Sequence, residues 1–137
     1  MKYLITHDGY PHADDILSYA LLSTVYPEWK LIRTRDELII NMPEDCEDKI
    51  VFDVGMKFDA FHFFDHHQKE KKMRDEIIPF SAFGLIWNEF GYQFLRTIGI
   101  QEVKKVWERI DHSFVRLIDI GDNGVVCSET LRVSDPF

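Results

Sequence analysis

Three short stretches concentrate the side chains that bind metal ions or move protons. The first, THDGYPHADDIL (6–17), carries His7, His12 and Asp14; the second, VFDVG (51–55), carries Asp53; the third, DHHQ (65–68), carries Asp65, His66 and His67. Imidazole with carboxylate and no thiolate suits borderline-to-hard divalent cations, Mn²⁺ first, with Mg²⁺, Co²⁺, Fe²⁺ or Zn²⁺ as alternatives. Two such ions about 3.5–4 Å apart need a bridging ligand, and the two oxygens of a carboxylate serve. Asp53 is the candidate bridge, because its strand is expected between the other two groups. Such a pair acidifies a shared water and neutralises a phosphate under attack. Taken singly, each residue has a plainer reading. His7 is a turn or capping residue, His12 and Asp14 open a helix whose dipole favours Asp14 and Asp15, Asp53 caps a turn, and His66-His67 is a polar loop pair. Those readings leave unexplained why all three groups follow apolar runs.

The elements that must position these groups follow from local pattern. Residues 2–6 (KYLIT) read as a buried strand, and 7–11 (HDGYP) as a turn. Ile16, Leu17, Ala20, Leu21 and Val25 recur at helical spacing, and Pro27 ends that helix. Residues 30–34 (KLIRT), 50–54 (IVFDV) and 60–64 (AFHFF) read as further strands, 42–49 as an acidic surface loop, and 68–78 as a charged, mobile loop. Ser81 caps a helix running to about Thr97, closed by Gly99. A last helix begins near Gln101, with Val103, Val106, Trp107, Ile110, Phe114, Leu117 and Ile118 as one inward stripe and Asn123-Gly124 as its stop. Asp111 and His112 fall off that stripe and are expected to face solvent. The last dozen residues have no clear pattern. The order of elements is that of an α/β protein: a three-layer, doubly wound, mostly parallel sheet flanked by helices. Strands apolar throughout suit a sheet covered on both faces. Ligands of such sheets bind beyond the carboxyl ends of the strands, where His7, Asp53 and Asp65-His66-His67 fall.

The 137 residues suit one domain, 1–137, and 45% hydrophobic content is too high for a disordered chain. No apolar run approaches the ~18 residues that span a bilayer, and MKYLITHDG is not a secretory signal. Cys46 and Cys127 are too far apart for a CxxC zinc site, and a reduced, cytoplasmic protein is the simplest expectation. The net charge of −8 argues against a protein that coats nucleic acid by bulk electrostatics. It leaves room for a nuclease whose cations dominate the local field.

On the three motifs THDGYPHADDIL, VFDVG and DHHQ, in this order, the sequence resembles the DHH phosphoesterase superfamily. Within it the chain looks closest to the melanocyte-proliferating-gene family, which has a similar His-x₄-His-x-Asp opening. The likeness continues through RTRD (33–36), SAFGLIW (81–87) and IDIGDNG (118–124) and spans nearly the whole chain. It implies that His7, His12 and Asp53 hold one metal ion, that Asp14, Asp53, His66 and a carboxylate of IDIGDNG hold the other, and that His67 faces the substrate phosphate. Asp122 is the preferred fourth-motif ligand, since Asp-Asn-Gly resembles the Asp-Thr-Gly of related phosphodiesterases and shares a helical stripe with Ile118 and Phe114. Asp119 is the alternative. Family members run to two or more times this length, with a C-terminal domain that closes over the substrate.

Weaker signals surround this core. Lys69, Lys71, Lys72 and Arg74 could form a basic lip gripping phosphate, or a solvated loop. Arg33 and Arg35 could reach a phosphate bidentately, or pair with Asp36 and Glu37. Phe83, Trp87, Phe90 and Phe94 read as core. The leading expectation is a metal-dependent phosphoesterase acting on short RNA, short DNA or a small nucleotide through a hydroxide activated by two divalent cations. The alternatives are a non-catalytic metal- or nucleotide-binding module and a pyrophosphatase-like hydrolase. A homodimer would shield an open cleft, though no symmetric apolar patch marks its interface.

Overall fold

The computed structural model describes residues 2–42, 49–68 and 70–124. Four strands, β1 (Tyr3–Thr6), β2 (Lys30–Arg33), β3 (Lys49–Phe52) and β4 (Phe63–Phe64), form one sheet in the order β2-β1-β3-β4. Every pairing is parallel. With helices flanking the sheet, the architecture is α/β, as the element pattern implied. The acidic loop drawn over 42–49, both cysteines and the patternless C-terminal stretch lie wholly or mostly outside the described residues.

The pleat sorts alternate side chains to two faces. Leu4, Ile50, Phe52 and Phe64 join a large core with α1 (Ala13–Val25) and α3 (Ala82–Thr97), while Ile5, Val51 and Phe63 form a smaller cluster with Ile40. Phe83, Trp87 and Phe90 are buried and Phe94 packs against them, as their helical spacing implied. Ile40 ends α2 (Glu37–Ile40), a one-turn helix that the sequence reading did not separate from its surroundings. Its signals are Asp36, whose carboxylate accepts from Leu38 N–H, and Lys49, whose buried ammonium donates to the carbonyls of Ile40 (2.8 Å) and Met42 (3.0 Å).

Two expected elements are reshaped by local chemistry. The fourth strand starts at Phe63 rather than Ala60, because Asp59 Oδ1 accepts the backbone N–H groups of Phe61, His62 and Phe63 and Ala60 adopts a left-handed φ of 64°. The C-terminal helix is α4 (Val103–Ile110), a π-helical turn (Asp111–Val115) and α5 (Arg116–Asp122). The wider turn breaks the single stripe. Phe114 is 44% exposed, whereas Val115, Asp119 and Ile120 are buried. Asp111 is half-buried, contrary to the solvent-facing position expected of it; His112 is exposed as expected.

Residues 74–78, the end of the segment read as a mobile loop, form a tied turn. Arg74 N–H donates to Ile78 O at 2.8 Å, and Asp75 Oδ1 accepts from Ile77 and Ile78 N–H at 2.8 Å each. No helix among the described residues is long and apolar enough to cross a membrane.

Candidate metal centre

From central strand β1 the chain crosses to β2 on one side, and later returns as β3 on the other, so the sheet's direction of growth reverses between β1 and β3. A crevice opens at the carboxyl ends of strands at such a point. β1 delivers His7 there, β3 delivers Asp53, and β4 delivers Asp65 and His66. All four are at least 94% buried, at 5%, 6%, 1% and 4% exposure. Asp53 adopts a φ of 57°, a conformation an acidic residue tolerates better than most and one that strain-bearing sites retain.

The two oxygens of Asp53 face different histidines. Oδ2 lies 3.1 Å from His7 Nε2, and Oδ1 lies 3.4 Å from His66 Nε2. His7 Nδ1 donates to the carbonyl of Asp8 at 2.9 Å, which turns Nε2 toward Asp53 and toward Asp15 Oδ2 at 3.8 Å. On the other side, His66 Nε2 lies 3.3 Å from Asp14 Oδ2 and 2.8 Å from Asp122 Oδ2. None of the three carboxylate contacts of His66 Nε2 has hydrogen-bond geometry. His66 Nε2 and Asp53 Oδ1 are therefore buried polar atoms without a hydrogen-bond partner among the described residues. Leaving such atoms unpaired is costly, and a cation between them satisfies both. Ligand atoms of His7, Asp15 and Asp53 lie within 4.8 Å of one another, and so do those of Asp14, His66 and Asp122. This donor set fits divalent cations.

Helix termini hold the acids in place. Asp14 accepts from Phe83 N–H (2.7 Å) and Ala82 N–H (3.2 Å), two amides of the first turn of α3 that have no partner within the helix. Asp65 is consumed by orientation. Its Oδ2 accepts from Met56 N–H at 2.7 Å, and its Oδ1 accepts from His66 N–H at 2.8 Å and from His67 Nδ1 at 2.6 Å. That bond raises the pKa of His67, and the bonds to Asp65 outweigh its burial and lower its own. His67 is half-exposed, at 55% of its side chain. Burial, with the Asp53 and Asp122 charges behind it, pushes Asp14 up to about 7 against the pull of His66. Burial opposes the His66 imidazolium, but Asp122, Asp14 and Asp53 outweigh it and push the ring up to about 12.

A cation must displace these protons. Below pH 7 it displaces one from Asp14 and one from His66; above pH 7 it displaces only the His66 proton, up to about pH 12. Mn²⁺ affinity is expected to rise with pH, more steeply below pH 7 than above it. Calorimetric titration in buffers of different ionisation enthalpy counts the released protons. An affinity flat from pH 6 to 8 contradicts this coupling.

The expected residues meet unequally. His7, Asp14, Asp53, His66 and Asp122 converge. His12 stands at the rim, exposed, its ring centroid 5.8 Å from that of His7, and it lines the cleft of about 320 Å³ with Arg35, Met56, His67 and Asp122. The acid that approaches His7 is Asp15, which is buried and also accepts from the backbone N–H of His12 at 2.6 Å. The sequence reading left Asp15 as a residue favoured by the helix dipole; its clue was the adjacent Asp14-Asp15 pair. The helical stripe that favoured Asp122 is broken, yet Asp122 still reaches His66 from the end of α5. Asp119 instead accepts from Ser81 N–H (2.8 Å), Ser81 Oγ (2.6 Å) and Arg74 Nε (2.6 Å). Gly84 is required beneath it, since a Cβ there would come within 2.2 Å of Asp119 Oδ1.

The basic residues require corrections. Arg74 is no free lip over the site: its side chain is 12% exposed and forms a bidentate pair with Asp111 besides the bond to Asp119. Lys71 donates to Asn123 Oδ1 at 3.2 Å; Lys72 is exposed, and Lys69 lies outside the described residues. Arg33 donates to Gly9 O (2.7 Å) and Arg35 to Asp8 Oδ1 (3.1 Å), so both pin the loop after β1 instead of pairing with Asp36 and Glu37. A larger hollow of about 620 Å³ opens elsewhere, beside Lys2, Tyr26 and Trp29. It lacks histidine and holds one carboxylate, Glu28, so the chemistry selects the smaller cleft.

Fold and site together define an α/β protein whose parallel sheet gathers, at its carboxyl edge, buried histidines and acids able to hold metal ions. The chain belongs to the MYG1 family. The family model, described as an uncharacterised protein family (UPF0160) and labelled MYG1_exonuc, matches residues 3–135. A MYG1 protein of Schizosaccharomyces pombe is 31% identical over 135 residues, covering 89% of this chain and 40% of its own length. A MYG1 protein of Saccharomyces cerevisiae is 30% identical over 138 residues, covering 90% of this chain and 38% of its own length. The chain thus spans about two-fifths of the length of these curated relatives. No solved structure matches it at a significant level.

Proposed function

We propose that this chain is a DHH-type phosphoesterase domain with a metal-binding site, a hydrolase of phosphodiester bonds in short RNA, short DNA or small nucleotides. On this reading the sheet is part of the three-layer DHH fold and the protein is cytoplasmic. The observation that carries the proposal is the pair of buried, unpartnered atoms, His66 Nε2 and Asp53 Oδ1, at the meeting of two acid–histidine groups. The exonuclease label of the family model supports the same reaction class.

In this reading His7, Asp15 and Asp53 hold one cation, with His12 at the open rim. Asp14, Asp53, His66 and Asp122 hold a second, and Mn²⁺ is the preferred metal. When bound, such a pair supplies an acidified water and neutralises phosphate charge. The chain's own residues do the rest. Asp65 holds the proton on His67 Nδ1 and raises its pKa, which favours the imidazolium that can donate to a phosphate oxygen or a leaving group. Arg35, exposed in the cleft, takes a second phosphate, and Arg33 and Lys72 are further candidates for that role.

The test is turnover by protein loaded with Mn²⁺, on bis-p-nitrophenyl phosphate, dinucleotides, cyclic dinucleotides and pyrophosphate. Hydrolysis of diesters that stops on chelation is expected. Bound Mn²⁺ without any turnover favours a non-catalytic module, and turnover of pyrophosphate alone favours the pyrophosphatase branch.

A further inference from the structure

We infer that Asn123 is a positioning residue that locks the ring of His66, and thereby sets how tightly the Asp14–His66–Asp122 group takes a divalent cation. The inference rests on the proposal that a cation binds there. It begins from an amide whose orientation is fixed by its neighbours. Asn123 Nδ2 donates to two groups that can only accept, the carbonyls of Asp119 (2.9 Å) and Pro79 (3.2 Å). The amide therefore cannot turn over without setting its oxygen against two carbonyl oxygens. Its Oδ1, which can only accept, faces His66 Nδ1 at 3.1 Å and Lys71 Nζ at 3.2 Å.

The tautomer of His66 follows from this arrangement. Nδ1 must carry a proton to bond Oδ1, so Nε2 is the nitrogen left to ligate. Nε2 is the atom surrounded by the carboxylates of Asp14, Asp53 and Asp122. A ligating imidazole gains both orientation and basicity from the acceptor behind it. Asn123 stands immediately after Asp122, so the turn that ends α5 delivers a candidate ligand and the orienter of another from adjacent positions. The sequence reading saw in Asn123 only a helix stop. That role does not explain why its side chain crosses to β4's exit.

Three proteins separate orientation from mere support of the helix end. Asn123→Leu removes both acceptor and donors; Asn123→Asp keeps the acceptor and loses the donors. Calorimetric titration with Mn²⁺ is expected to show affinity reduced about 10- to 100-fold in Asn123→Leu, and less reduced in Asn123→Asp, whose carboxylate restores the acceptor but sets a second oxygen against the Asp119 and Pro79 carbonyls. Because the added charge of Asp could tighten binding by itself, a second readout is needed. Long-range ¹H–¹⁵N spectra of the Mg²⁺-loaded protein are expected to show a His66 proton on Nδ1, protected from exchange in the parent and in Asn123→Asp and unprotected in Asn123→Leu.

A folded Asn123→Leu that binds Mn²⁺ as the parent does overturns the inference. So does a His66 Nδ1 proton as protected in Asn123→Leu as in the parent, which would assign the amide to supporting carbonyls alone. If Asn123→Leu does not fold, the parent spectrum still decides, since a proton on His66 Nε2 instead of Nδ1 overturns it. If the parent takes up no Mn²⁺, the proposed function falls separately. Protection of the Nδ1 proton in the metal-free protein then tests the Asn123–His66 bond by itself.

Discussion

Asp53→Ala is expected to abolish both phosphodiester turnover and the stabilisation that Mn²⁺ confers, while leaving the metal-free fold intact. Among the described residues, Asp53 is the acid whose two oxygens face the two histidine groups, at 3.1 Å from His7 and 3.4 Å from His66. Removing an orienting partner behind a ligand costs about 10- to 100-fold in metal affinity, and loss of a shared ligand costs at least as much. At a Mn²⁺ concentration of about 100 Kd the parent protein gains about 2.7 kcal/mol from binding. That gain, read as a rise in Tm, should vanish in the variant. The metal-free Tm should fall modestly: Ala removes a charge that repels Asp14, but also the Asp53 bond to His7 and one of the carboxylates that favour the His66 imidazolium, and it sits less easily at a φ of 57°. Retained turnover, or a Mn²⁺-induced shift equal to that of the parent, would refute the bridging assignment.

Arg74→Met should do the opposite: a large loss of stability in the metal-free protein. Arg74 bonds Asp111 through both terminal nitrogens, at 2.6 and 2.8 Å, and Asp119 through Nε at 2.6 Å. Asp119 is fully buried, and burial raises its pKa even with Ser81 and Arg74 beside it. Breaking a buried pair strands a charge and costs about 3–5 kcal/mol, a fall in Tm of roughly 10–15 °C for a chain of this size. Arg74→Met combined with Asp119→Asn should recover part of the loss, because no stranded carboxylate remains. Were Arg74 a phosphate grip, the single variant would raise KM at unchanged Tm, and that result would sink the structural assignment. The network also reaches the candidate metal site: Asp119 holds Ser81, which caps the helix whose first amides hold Asp14.

Part of this was legible in the residues. The three apolar runs before His7, Asp53 and Asp65 marked strand ends, and a parallel sheet brings strand ends to one edge whatever the details of packing. Ser81 announced a helix start through its own hydroxyl, a local interaction that no distant residue has to complete. Arg74 and Asp15 show where such reading stops. Nothing within a few residues of Arg74 reveals that its partners are Asp111 and Asp119, 37 and 45 positions on. A cation in a charged run reads as solvated unless the fold closes a helix over it. Asp14 and Asp15 look alike in sequence, and their neighbours in space decide that one meets α3 and His66 while the other meets His7. The π-helical turn is a third case: one wider turn breaks the stripe that Asp122 was expected to share with Phe114, and strings of residue types do not encode that shift.

The sequence by itself determined the order of the four strands and the main helices, the α/β architecture and the acid–histidine inventory of the sheet's carboxyl edge, because strand and helix periodicity and caps act over a few residues. Only the tertiary structure decided which acids meet which histidines, that Arg74 is a buried tie, and that Asn123 backs His66. Those outcomes depend on ångström-scale approach between segments far apart in the chain, where burial and electrostatics, acting together, set which pairs can form.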